Sequence, residues 1–197
     1  MTRVFLAVQP PTDVYSTVEK LQDRLGAINR DLNSVETTNL HVTVKYLGNE
    51  SDVEVEAVAE VLRELRGVHD GFELELRGLG AFPEVTDPQD IWVGVGRGAG
   101  QLQEIHDDLQ KKLVGLNLAP RDEYDYVPHM TVAQIREDRG RSGPADLGFG
   151  GEDLQSFMKQ NATTKYGVIS VDDLCLFRTI KRRGKIEQSV LRRFPLE

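Results

Sequence analysis

Two short stretches of this sequence carry side chains that can do acid–base chemistry, and they carry the same ones. Leu40-His41-Val42-Thr43-Val44 and Pro128-His129-Met130-Thr131-Val132 share the pattern His-x-Thr-Val, 88 residues apart. The chain has 4 histidines and 11 threonines, so only about 0.2 His-x-Thr triplets are expected by chance, and two or more arise in only about 2% of shuffled chains. On a strand, side chains alternate between faces. His41 and Thr43 therefore point the same way, about 6 to 7 Å apart, as do His129 and Thr131, while Val42, Val44, Met130 and Val132 face a core. If the two segments pack as a pair, two imidazoles and two hydroxyls converge on one groove. An imidazole near its ordinary pKa can be neutral beside a charged partner at neutral pH. The neutral ring takes a proton from water and the charged one gives a proton to a leaving oxygen. The hydroxyls donate to phosphate oxygens as negative charge grows there. That set suits hydrolysis of a phosphodiester without metal. Lys45 shares the strand face of His41 by the same alternation and is expected to add positive charge. A two-histidine metal site is the rival reading, but zinc wants a third protein ligand, and neither His69 nor His106 has strand context.

The elements that must position these groups can be read from periodicity. Residues 3–8 form a short apolar strand. Residues 12–29 place Val14, Val18, Leu21, Leu25 and Ile28 at helical spacing behind Thr12 as N-cap. A strand over 40–47 stops at Gly48-Asn49. A second helix spans 52–66 behind Ser51 or Asp52, and a third spans 100–116. Strands are expected over 72–79 and 91–95, with a loop carrying Pro83 and Pro88 between them, and over 126–135. A Gly/Pro loop covers 139–151, a short polar helix 152–161, and two or three strands fill 165–194 with a hairpin turn at 181–185. GVGRGAG (94–100) reads as a helix entry, because the strand after it lacks the acidic residue a dinucleotide site requires. The order of elements is that of an α+β or α/β chain with no linker, hence a single domain over residues 1–197.

Composition limits the setting. The chain has 197 residues, 39% of them hydrophobic, and a net charge of −8. That length buries a sizeable core, and the acidic balance argues against non-specific duplex binding. Lys181, Arg182, Arg183 and Lys185 form the one basic cluster. A solvated turn explains it without function; Arg182 and Arg183 are the candidates for holding an RNA backbone. The lone cysteine, Cys175, excludes an internal disulfide and any Cys-based zinc site. It reads as a small core residue, Trp92 as core, and His69 and His106 as solvated. No apolar run is long enough for a membrane span and the N-terminus does not read as a secretory signal, so a cytoplasmic address is expected. A monomer is the expectation for assembly, which the sequence itself does not fix.

These motifs resemble the two-histidine (2H) phosphoesterases, and within them the RNA 2′,3′-cyclic phosphodiesterases once called 2′-5′ RNA ligases. The resemblance runs along nearly the whole chain. Arg3-Val4-Phe5-Leu6-Ala7 with Pro10 is similar to the family's start. LHVTVKYLG (40–48) and VPHMTVA (127–133) are similar to its two motifs, GLGAFPEVTDPQDIWVGV (78–95) to its phenylalanine-proline loop and tryptophan strand, and LRRFPL (191–196) to its last strand. The resemblance implies two lobes related by a pseudo-two-fold axis, each an antiparallel sheet with helices outside. It implies His41 as proton donor, His129 as proton acceptor, and opening of a 2′,3′-cyclic phosphate at an RNA end to a 2′-phosphate, with no cofactor. Gln134 stands where the family often has arginine, with Arg136 two residues on as the substitute, and Gln188 stands where an aromatic is common. Within the same chemistry, a 2′-5′-linked oligonucleotide or a small cyclic nucleotide is an alternative substrate. A nucleotide-binding module without turnover is the alternative class.

Overall fold

The computed structural model describes residues 2–135, 153–182 and 185–196. In chain order the elements are β1 (Thr2–Val8), α1 (Thr12–Ile28), β2 (Leu32–Ser34), a 3₁₀ turn (Thr37–Asn39), β3 (Val42–Glu50), α2 (Asp52–Arg63), β4 (Phe72–Glu84), β5 (Asp87–Val95), α3 (Ala99–Gly115), β6 (His129–Ile135), α4 (Leu154–Gln160), β7 (Lys165–Val171), β8 (Asp173–Arg182) and β9 (Lys185–Pro195). The strands form two antiparallel sheets. The first has the order β3-β1-β8-β9 and the second β2-β6-β5-β4-β7. The α+β class with a sheet in each lobe is as the sequence implied. The lobes are not successive halves of the chain: the first sheet takes β1 and β3 from the start of the described chain and β8 and β9 from its end, and the second takes β4 to β7 from the middle together with β2, which lies between β1 and β3.

Helices cover the outer faces because their apolar stripes need a partner. α1 buries Val14, Val18, Leu21, Leu25 and Ile28 and lies with α4 against the second sheet, while α2 and α3 lie against β3 of the first. One continuous core joins both sheets. The two motif strands, β3 and β6, approach within 8 Å Cα to Cα. Buried Gln22 on α1 fastens the end of β2 to β6: its amide donates to the carbonyls of Val35 and Val132, both at 2.8 Å.

Several boundaries differ from the sequence reading for local reasons. Pro11 occupies the cap position of α1 with no side-chain cap, so Thr12 is the first helical residue. Ser51 caps α2 through a reciprocal capping box with Glu54. The expected loop with Pro83 and Pro88 is a tight hairpin. Both prolines lie inside the strand ends and pair with each other, where a missing N–H costs the ladder least. β3 runs past Gly48, whose positive φ of 109° absorbs a register shift against β1. Gly98 starts α3 with φ 88°, as a helix entry; a side chain there would meet the Glu73 carbonyl oxygen at 2.6 Å. β8 and β9 pair from Asp173 opposite Pro195 to Arg182 opposite Lys185, which matches the expected hairpin.

Candidate active site

Alternation along the motif strands holds at their first residues. Val42, Val44, Met130 and Val132 are at most 1% exposed, on the core side. His41, Thr43, His129 and Thr131 turn the other way and line one cavity of about 490 Å³. Asn33, Ser34, Val35, Glu36, Asn39, Gln134 and Gln188 are also in its wall.

Each imidazole is built in the same manner. The Nδ1–H of His41 donates to the carbonyl of Asn39 at 2.8 Å, and that of His129 to the carbonyl of Val127 at 2.7 Å. Each ring is thus gripped by the carbonyl two residues upstream. That grip fixes the tautomer and leaves Nε2 as the reactive nitrogen on both rings. Aromatic groups back each ring: Phe5 and Phe177 at centroid distances of 4.7 and 5.9 Å from His41, Phe82 and Trp92 at 5.0 and 5.8 Å from His129. Trp92 is therefore not in the main core but is half-buried beside the second histidine. Its ring lies over two glycines; a Cβ at Gly80 would come within 2.1 Å of it.

Burial pushes both imidazoles below the ordinary 6.5 because it penalises the charged form. For His41 the Asn39 carbonyl pulls the other way, and a charge on His129 pushes down again. For His129 the Val127 carbonyl and the Asp90 carboxylate both pull upward.

Lys45 is not where alternation put it. Two residues of β3 are accommodated against one step of β1 between Ala7 and Leu6, a bulge that turns Lys45 inward. Its ammonium is 1% exposed and donates to Asp122 at 2.6 Å and to the Pro120 carbonyl at 2.8 Å. It does not line the cavity; Tyr46 takes that place. His106 is also corrected. It is 4% exposed rather than solvated, with Nε2 2.8 Å from Asp122 and its ring stacked on Tyr126 at 4.3 Å. His69 lies 3.0 Å from Asp108, half-buried. Cys175 is fully buried, as read, in a small cluster with Phe5, Ala7 and Phe177 next to His41. Burial and Asp173 push its thiol up to about 12, which leaves it unreactive. Gln134, in the family's arginine position, donates to Asp90 at 2.6 Å. Arg136, Arg183 and the side chain of Arg182 lie outside the described residues.

The sequence reading missed Asp90, Tyr46, Tyr126 and the cavity wall from β2. Tyr46 could be found only by knowing of the bulge, and β2 is three residues long with no periodic signal. Helical phase would have found His106, because Leu102, Ile105, Leu109 and Leu113 set the inner face on which it lies.

The chain matches the model of the 2′-5′ RNA ligase superfamily over residues 8–179 and belongs to that superfamily, which the motifs place among the two-histidine phosphoesterases. A protein of Aeropyrum pernix named RNA 2′,3′-cyclic phosphodiesterase is 32% identical over 172 residues, 87% of this chain and 90% of the relative. One of the same name from Methanothermobacter thermautotrophicus is 32% identical over 74% of this chain and 77% of its own length. The fold is similar to that of TT0787 of Thermus thermophilus (TM-score 0.76, 20% identity, 98% of this chain and 97% of that one). It is also similar to that of E. coli LigT complexed with 3′-AMP (TM-score 0.71, 18% identity, 98% and 97%).

Proposed function

We propose that the protein is an RNA 2′,3′-cyclic phosphodiesterase working by metal-independent general acid–base catalysis. One observation carries this reading: two imidazoles with Nδ1 tied to backbone carbonyls line one cavity, each with a threonine hydroxyl beside it. Binding an anion needs no such matched acid and base. His129 Nε2 takes a proton from water, the water oxygen attacks phosphorus, and the bond from phosphorus to the ribose 3′ oxygen breaks. His41 Nε2 protonates that oxygen, leaving a 2′-phosphate. Thr43 and Thr131 donate to the non-bridging oxygens. The relatives' names and the superfamily support the substrate class. Among the described residues, no three His, Cys, Asp or Glu side chains stand together as a metal-binding set, and no helix is long and apolar enough to cross a membrane.

The test is to incubate the protein with 2′,3′-cyclic AMP and with a short RNA ending in a cyclic phosphate. The expected product is the 2′-monophosphate, at a rate EDTA leaves unchanged. A 3′-monophosphate reverses the leaving-group assignment. Inhibition by EDTA that zinc restores removes the metal-free mechanism. Binding without conversion makes the protein a nucleotide-binding module.

A further inference from the structure

The two carbonyls that grip the histidines are held by different means. The Asn39 carbonyl belongs to a 3₁₀ turn closed by its own backbone hydrogen bonds, Asn39 to Glu36 at 2.8 Å and Leu40 to Thr37 at 3.2 Å. The Val127 carbonyl belongs to the stretch between α3 and β6. Residues 120–127 of this stretch form no helix or strand and make no backbone-to-backbone hydrogen bond with other described residues. Side chains anchor it. Lys45 from β3 binds the Pro120 carbonyl and the Asp122 carboxylate. His106 from α3 binds the other Asp122 oxygen, and the side chain of Gln110 accepts from the Asp122 N–H at 3.3 Å. Tyr126 stacks on His106 with its ring 2° from parallel, and its hydroxyl donates to the Thr43 carbonyl at 2.8 Å. Tyr126 thus ties the backbone of the first His-x-Thr motif to the residue immediately before the carbonyl that grips the second histidine.

We infer that Lys45, Asp122, His106 and Tyr126 form an internal strut that sets the pose of His129 from β3, the strand that begins just after His41, with Tyr126 as its positioning residue. The consequence for catalysis rests on the function proposed above; the consequence for the His129 ring does not. Burial explains why the strut is stiff. Lys45 has no water to turn to, so its ammonium is committed to Asp122 and Pro120. Tyr126 is buried enough to push its phenol up and keep it a donor.

The test is Tyr126→Phe, which keeps the stacked ring and deletes one hydrogen bond. With 2′,3′-cyclic AMP, kcat is expected to fall about 10-fold with KM within about twofold, as a misaligned base does. Imidazole nitrogen NMR without substrate is expected to show His129 losing its Nδ1–H form while His41 keeps it. His106→Phe, which keeps the stack and releases one of the two Asp122 oxygens, is expected to do the same to a smaller degree. An unchanged His129 spectrum overturns the strut. So does an equal change at both histidines accompanied by a lower Tm, which marks general destabilisation. If the native protein lacks hydrolytic activity, the proposed function fails and the spectra still decide the strut.

Discussion

His41 and His129 occupy matching nests with different supports. Both have an upstream carbonyl on Nδ1, two aromatic groups alongside and a threonine two residues on. The ring pair at His41, Phe5 with Phe177, is stacked 5.2 Å apart and comes from neighbouring strands of one sheet. The pair at His129, Phe82 with Trp92, is tilted at 5.3 Å and leans on glycines. A charge on His129 lowers His41, whereas Asp90 raises His129. The repeated motif therefore supplies two similar imidazoles, and their surroundings act on them through different groups.

The largest expected effect tests whether both nests take part in chemistry. His41→Ala and His129→Ala should each lower kcat by at least about 10²-fold, as general acid–base groups do; near-native turnover in either would leave a one-histidine enzyme. Replacing a hydroxyl donor is the next test. Thr43→Val and Thr131→Val should each cost about 10²-fold in kcat by removing a donor to the developing charge. A loss confined to one of them, measured on the same cyclic phosphate, would break the equivalence of the two motifs.

Smaller perturbations separate the nests. Gly80→Ala puts a methyl group where the Trp92 ring lies, an overpacking that should cost about 1 to 3 kcal/mol of stability. The His129 resonances should shift in that variant and those of His41 should not. In the native protein both imidazoles are lowered, so the bell of kcat/KM against pH should centre on the acid side of 6.5. Asp90→Asn removes a group that raises His129. The limb belonging to His129 should then move to still lower pH, with the His41 limb nearly fixed. A limb that moves upward, or does not move, contradicts the role given to Asp90. The same lowered values bear on stability. The unfolded chain binds protons near 6.5 that the folded rings resist, so the stability present above 6.5 is lost as pH falls from that value through the lowered values of the folded rings. Urea midpoints at pH 7.5 and 5.5 measure it.

The four motif residues that line the cavity were legible from their types and spacing, whereas their supports were not. Strand alternation placed His41, Thr43, His129 and Thr131 on one side and the intervening valines and methionine on the other, because nothing interrupts the period of two over those three residues. It failed at Lys45, one step past a bulge. A bulge is a relation between two strands and leaves no mark on one. Helix spans came out within a few residues because apolar spacing sets them. His106 was judged by its polar character when its helical phase pointed inward. The hairpin at Pro83 and Pro88 looks like a loop in the sequence because a proline breaks a strand except where, as here, it sits at a strand end opposite its partner. Tyr126, Asp122 and Lys45 are separated in sequence by up to 81 residues, and their union depends on how the two lobes meet.

The interleaved order of the strands also has a consequence for a chain made from its N-terminus onward. The sheet around His129 is complete once β7 has been synthesised, but the sheet around His41 then has only β1 and β3. Phe177 arrives on β8, and the cavity wall at Gln188 on β9. A nascent polypeptide on the ribosome, surrounded by RNA, therefore carries both histidines long before it has a finished pocket to use them in.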